Sequence, residues 1–268
     1  MNSVSLIFCI ICFLFHRVQS QECRYDSYKK YMLEATQNFK AKRYGKAKEY
    51  FNLAFASVNV PLGMDLENVL NLYQKKNDEE MMHSVAILMA KGGTPKEYFQ
   101  RYHRLSWFPQ FQQKFSQYDS IYKSNFNVEY RRRITELIAY DIDFNTKYHD
   151  WRSGKIDMSL DKMISEAKYI ATELEVLINE YGLPLENKIG YYYDYRKRRI
   201  KKLPIESLII HIHQRGKSLI KSDQIVVLIC YGLLNEEYKD LLPRIKGFSD
   251  EESIEKEMTL RYSMFGGK

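Results

Sequence analysis

Residues 38–55, NFKAKRYGKAKEYFNLAF, set alanines and aromatics at three- and four-residue steps inside a basic, helix-favouring run. Ala47, Phe51 and Ala54 fall on one face of a helix, with Tyr44 one turn before them. Two packed antiparallel helices need small side chains where their backbones approach and large ones in the gaps. The stretch therefore reads as the second half of a helical hairpin whose first half carries Tyr31 and Ala35. Outward from it, similar apolar steps cover residues 27–42, 45–57, 65–75, 78–91, 95–103, 128–148, 204–215, 222–234 and 235–246. The clearest helix is 159–181, where Leu160, Met163, Ile164, Ala167, Ile170, Ala171, Leu174, Leu177, Ile178 and Tyr181 form one stripe. Ser159 is its N-cap, Gly182 its stop, and Pro184 forbids continuation. With only twelve glycines and six prolines in 268 residues and little strand alternation, the expected class is all-α.

Tyr31, Ala35, Tyr44, Ala47, Phe51 and Ala54 occupy positions at which the segment resembles a tetratricopeptide repeat, although Glu34 and Asn38 depart from the family's Leu and Tyr. One repeat of about 34 residues later, Met81, Val85 and Leu88 stand in the places of Ala47, Phe51 and Ala54. Residues 177–190, LINEYGLPLENKIG, carry a second resemblance, together with AYDIDFNTKY before them and LPIESLIIHIHQ after them. From about residue 128 onward the chain looks like an uncharacterised helical domain of exported bacterial proteins. The residues matching that family's motif are Asp143 with Lys147, Gly182-Leu183-Pro184 with Gly190, and His211; Asp141 competes for the Asp position. Both resemblances imply an architecture: tetratricopeptide-like hairpins over residues 21–125, packed against a C-terminal helical bundle over 126–268.

The first twenty residues stand apart. Residues 4–15, VSLIFCIICFLF, are apolar but too short for the ~20 residues of a membrane helix. They read as a signal peptide cleaved after Ser20, with a retained anchor as the alternative, since no Lys or Arg precedes Arg17. No later stretch is long and uncharged enough to span a bilayer. Export removes Cys9 and Cys12 and leaves Cys23 and Cys230 as the available disulfide pair. Cys230 lies in the apolar run IVVLICYGLL, where a buried free thiol is the commoner fate.

Chemistry is sparse. There is no nucleophile elbow, phosphate-binding glycine loop, His-Glu-x-x-His or paired-cysteine spacing, and no cofactor is expected. On a helix begun by Pro204, His211 and His213 stand about 160° apart and do not share a metal. Residues 191–202, YYYDYRKRRIKK, interleave rings and cations, as nucleic-acid binders do. Behind an export signal this reads as a solvated basic loop or helix face, with an anionic surface or glycan as the next partner and no nucleic acid. The last residues, 265–268, read as a frayed tail.

Two function classes follow. The favoured one is an exported scaffold for a protein or peptide partner, with Tyr31, Asn38, Asn68 and Tyr73 as inner-helix contacts. The alternative is a hydrolase-type enzyme in which His211 is base or acid, Asp143 orients it, and Lys147 or Arg196 binds an anion.

Overall fold

The computed structural model describes residues 25–238 and 252–265. The segment expected to be a signal peptide, Cys23 and most of the helix expected over 235–246 lie outside them. The fold is all-α: twelve helices and one two-stranded hairpin among the described residues. The chain divides into two compact units, one ending at Asn59 and the other beginning at Val60.

The first unit is a helical hairpin of α1 (Asp26–Lys40) and α2 (Tyr44–Ala56). Ala35, Ala47, Phe51 and Ala54 are completely buried, so the small side chains sit where two backbones approach and Phe51 fills the gap beside them. Lys42 takes a left-handed conformation in the connecting turn, φ 61°. Asn38 locks that turn: its Nδ2 donates to the Glu34 carbonyl at 2.8 Å, and its Oδ1 accepts from Arg43 Nε at 2.8 Å.

The second unit opens with another hairpin, α3 (Gly63–Gln74) and α4 (Glu79–Lys91). Asp78 caps α4 by accepting from the Met81 amide at 3.0 Å. Met81 and Val85 are buried as expected, and Leu88 is half-buried. Next come a short α5 (Lys96–Phe99), a 3-10 turn at Gln100–Tyr102, and α6 (Phe108–Asn125). Tyr98, Phe99, Tyr102, Trp107 and Phe111 form an aromatic cluster here, with Phe99 and Phe111 centroids 4.8 Å apart.

The main core lies between α7 (Val128–Arg152) and α8 (Leu160–Tyr181). Asn127 caps the first through the Tyr130 amide and Ser159 the second through the Lys162 amide. Gly182, at φ 73°, ends α8 in a conformation an L side chain resists. The short α9 (Glu186–Ile189) leads into β1 (Tyr192–Asp194) and β2 (Arg199–Lys201), paired antiparallel with Tyr193 opposite Ile200. Residues 191–202 are thus a β-hairpin rather than the loop or helix face expected of them. Helices α10 (Ile205–Gln214), α11 (Ser222–Cys230) and α12 (Glu252–Phe265) complete the unit. Helix α11 stops at Cys230 rather than at 234, because Gly232 turns the chain at φ 65°.

The β-hairpin is seated on α3 and α4. The Tyr191 ring lies between Gly63 and Gly92, where an added Cβ would come within 2.7 Å and 2.0 Å of ring carbons. Its hydroxyl donates to the Pro61 carbonyl at 2.9 Å, and the Ile200 amide donates to Glu67 Oε1 at 3.1 Å. Cys230 is disulfide-bonded, correcting the expectation of a free buried thiol. The other three cysteines all precede the described residues. No helix among the described residues is long and apolar enough to cross a membrane.

Candidate functional site

Three helices of the second unit present i, i+4 pairs to one place. Helix α7 contributes Asp141 and Asn145, α10 contributes His211 and, at its C-cap, Arg215, and α12 contributes Glu257 and Arg261. Asp141 falls in phase with Ile134, Leu137, Ile138 and Phe144 on the buried stripe of α7, so folding takes its carboxylate out of water; it is 1% exposed. A buried carboxylate persists only where donors meet both oxygens.

Arg215 Nη1 donates to Asp141 Oδ1 at 2.7 Å, and the same guanidinium donates through Nη2 to Asn145 Oδ1 at 2.8 Å. His211 Nδ1 meets Asp141 Oδ2 at 2.6 Å. Asn145 Nδ2 donates to the Asp141 carbonyl at 3.0 Å and reaches Oδ2 at 3.3 Å. Burial pulls the Arg215 guanidinium below its ordinary range, with the Asp141 charge opposing; arginine remains a cation there.

This network settles the imidazole tautomer. Nδ1 also lies 2.6 Å from Asn145 Nδ2, and it cannot donate to the carboxylate and accept from the amide at once. The carboxylate only accepts, and the Asn145 amide is oriented by Arg215 on its oxygen and Asp141 on its nitrogen. In the neutral ring the proton therefore sits on Nδ1, facing the carboxylate. In that neutral ring Nε2 keeps the lone pair, as a proton acceptor of fixed orientation.

His211 is part of the wall of a cleft of about 400 Å³. Its polar lining includes Asn145, His149, Arg152, Arg215, Glu257 and Arg261; Phe144, Tyr148, Met258 and Phe265 supply apolar surface. The cations differ in availability. Arg215 is neutralised by Asp141, and Arg261 is shared between Glu257 at 2.7 Å and the Gln214 carbonyl at 2.5 Å. Arg152 is exposed, stacks over Phe265 at 4.2 Å, and makes no ion pair among the described residues. The site thus offers an open guanidinium and an oriented imidazole nitrogen above apolar walls. Such a combination suits a ligand with an anionic group and an apolar body. No cluster of three metal-ligating side chains occurs among the described residues.

Of the residues singled out from sequence, His211 lies in this cleft. Asp143 does not partner it: its carboxylate forms an exposed ion pair with Lys147 at 2.5 Å, and Asp141 occupies the orienting position. Asn38 is buried and fully engaged in its own turn. Tyr73 is 2% exposed, and burial together with the Asp78 charge pushes its phenol up to about 12. Tyr31 is half-buried, its ring 6.4 Å from that of Tyr50, and Asn68 is exposed on α3. Arg196 sits at the exposed tip of the β-hairpin, its amide donating to Asp194 Oδ1 at 3.0 Å. His213 lies on the other side of α10 from His211, buried against Leu174 and Ile220.

Asp141, Asn145 and Arg215 were not singled out as a set, although the sequence held a signal for them. Asp141 interrupts an apolar stripe in register, and Asn145 and Arg215 each follow a chemically active residue by four positions. Compared with protein families, curated proteins and solved structures, the chain matches none.

Proposed function

We propose that this chain is an exported helical binding protein whose cleft above Asp141 and His211 takes an anionic ligand. The carrying observation is the closed Asp141–Arg215–Asn145–His211 network, which fixes an imidazole acceptor beside the open guanidinium of Arg152. Groups held by such contacts bind without a further ordering cost. In this reading the first hairpin, of tetratricopeptide-like packing, contributes a surface for a protein or peptide partner. The alanine spacing of α1 and α2 supports that packing, whereas the burial of Asn38 and Tyr73 removes those two side chains from any such surface. Export is supported by the apolar run at residues 4–15 and by the disulfide at Cys230, since stable disulfides belong to oxidising compartments.

A hydrolase-type reading has one observation in its favour, the free Nε2 of His211, placed to take a proton from water. The described lining contains no Ser, Thr or Cys to act as nucleophile, so water itself would attack.

Isothermal titration with inorganic phosphate, citrate and a benzoate series separates the readings. Binding of at least one of these anions, weakened roughly tenfold or more by Arg152→Ala, is the expected result. Absence of binding by every anion, or affinity unchanged in Arg152→Ala, overturns the proposal. Turnover of 4-nitrophenyl esters that vanishes in His211→Gln would instead establish the hydrolase.

A further inference from the structure

The β-hairpin that joins α9 to α10 ends in four consecutive exposed cations, Arg196, Lys197, Arg198 and Arg199. None of them forms an ion pair among the described residues. The acid on the hairpin itself is already engaged: Asp194 pairs with Lys201 at 3.2 Å and accepts from the Arg196 and Lys197 amides at 3.0 Å each. Glu97 bears on Tyr193 and forms no ion pair among the described residues. The Lys201 ammonium beside Lys197 holds the latter below its ordinary range, a sign of like charges crowded together.

The tip is also built to stay in one shape. Arg198 adopts a left-handed conformation, φ 50°, and its carbonyl accepts from the Arg101 guanidinium, which itself lies 4.2 Å over the Tyr98 ring. Tyr193 is buried against Tyr98, and Tyr195 meets Tyr193 edge-on at 4.8 Å. Tyr195 is nonetheless 70% exposed, an aromatic ring held rigidly in water next to four cations.

We propose that this tip docks the protein on an anionic lipid surface, with Tyr195 at the headgroup boundary and Arg196 to Arg199 on the phosphates. Amphipathic rings favour that boundary, and each basic side chain near such a surface strengthens binding by roughly fivefold. Four of them, already ordered, give an attachment of roughly two to three orders of magnitude that salt weakens. The attachment is peripheral, through a hairpin that needs no membrane-crossing helix. The cleft above His211 takes no part in it.

Co-sedimentation of the full chain with vesicles tests this. Phosphatidylglycerol in phosphatidylcholine should retain the protein at low salt, and phosphatidylcholine alone should not. The paired variant Arg196→Glu/Lys197→Glu should lose at least tenfold in affinity, Tyr195→Ala a few-fold, and Arg152→Ala nothing; unchanged circular dichroism shows that the exposed substitutions leave the fold intact. Equal retention by both vesicle types, or retention unaffected by the paired variant, overturns the proposal. So does a charge-dependent binding to heparin with no binding to either vesicle, which would make the surface a glycan site.

Discussion

Asp141 keeps a charge almost wholly out of water because Arg215, His211 and Asn145 all point donors at it. Removing one member of a buried ion pair strands the other, at a cost of about 3–5 kcal/mol. Asp141→Ala is expected to lose that much unfolding free energy in a urea titration at neutral pH. Asp143→Ala removes only an exposed ion pair with Lys147 and is expected to leave the midpoint unmoved. Similar losses from both would show that the carboxylates are not distinguished as described. The two positions were separable in principle: two residues along a helix is a rotation of about 200°, so only one of them is able to share the face of Ile134, Leu137 and Ile138. Matching by motif chose Asp143, whereas the period of the stripe points to Asp141.

Glu186 carries a pH dependence of predictable sign. Its Oε2 accepts from the Gly63 amide at 2.8 Å, and burial pushes its carboxyl up to about 8. The folded chain therefore holds a proton that the unfolded chain releases near pH 4.5. The stabilisation is complete below that value and is lost as pH rises through about 8. Glu186→Gln keeps an acceptor for Gly63 and removes the titration. Its stability should match the parent near pH 4.5 and exceed it by on the order of 5 kcal/mol above pH 8. A difference independent of pH would contradict the assignment.

At the scale of elements, the β-hairpin and the α3–α4 pair depend on each other through Tyr191. Gly92→Ala drives a methyl into the Tyr191 ring and is expected to cost about 1–3 kcal/mol, while Tyr191→Ala empties a fully buried site at about 3–5 kcal/mol. Their combination should cost clearly less than the sum, because the second substitution removes what the first collides with. Additive losses in thermal or denaturant unfolding would show that the ring does not occupy this place. The β-hairpin itself was illegible locally. Its strands are three residues each in a run of cations, and they are held by Glu67 and Pro61, more than a hundred residues away in sequence. Besides the short α9, two longer helices were missed for a related reason. In α6 the rings at Phe108, Phe111, Tyr118 and Tyr122 are buried beside a half-buried Phe115, which blurs any stripe. In α12 only Ile254 and Met258 among the large apolar residues are buried, while Leu260 and Met264 are exposed.

For the whole molecule, the all-α class was readable from periodicity, and Ala35, Ala47 and Ala54 mark the first hairpin's contact as their spacing required. Unit boundaries were harder to read. The sequence spacing predicts a repeat of about 34 residues relating the first two hairpins, yet the chain divides at Asn59, and the second hairpin shares a unit with the C-terminal helices. Side chains such as Tyr191 and Glu67, which tie that hairpin to distant segments, leave no periodic trace. The disulfide at Cys230 adds a constraint on the unfolded chain, typically worth about 2–5 kcal/mol. Dithiothreitol should accordingly lower the thermal midpoint of the parent and leave that of Cys230→Ser unchanged; an identical midpoint with and without reductant would contradict it.

The site turns on His211 being held through Nδ1 by Asp141 in the wall of the cleft. Long-range proton–nitrogen correlation of the histidine side chains, recorded above pH 8 on the labelled full chain, reads this directly. The prediction is an Nδ1-protonated His211 whose signature is lost in Asp141→Asn and persists in Asp143→Asn. An Nε2-protonated ring in the parent, or one that responds to Asp143 and ignores Asp141, would contradict it.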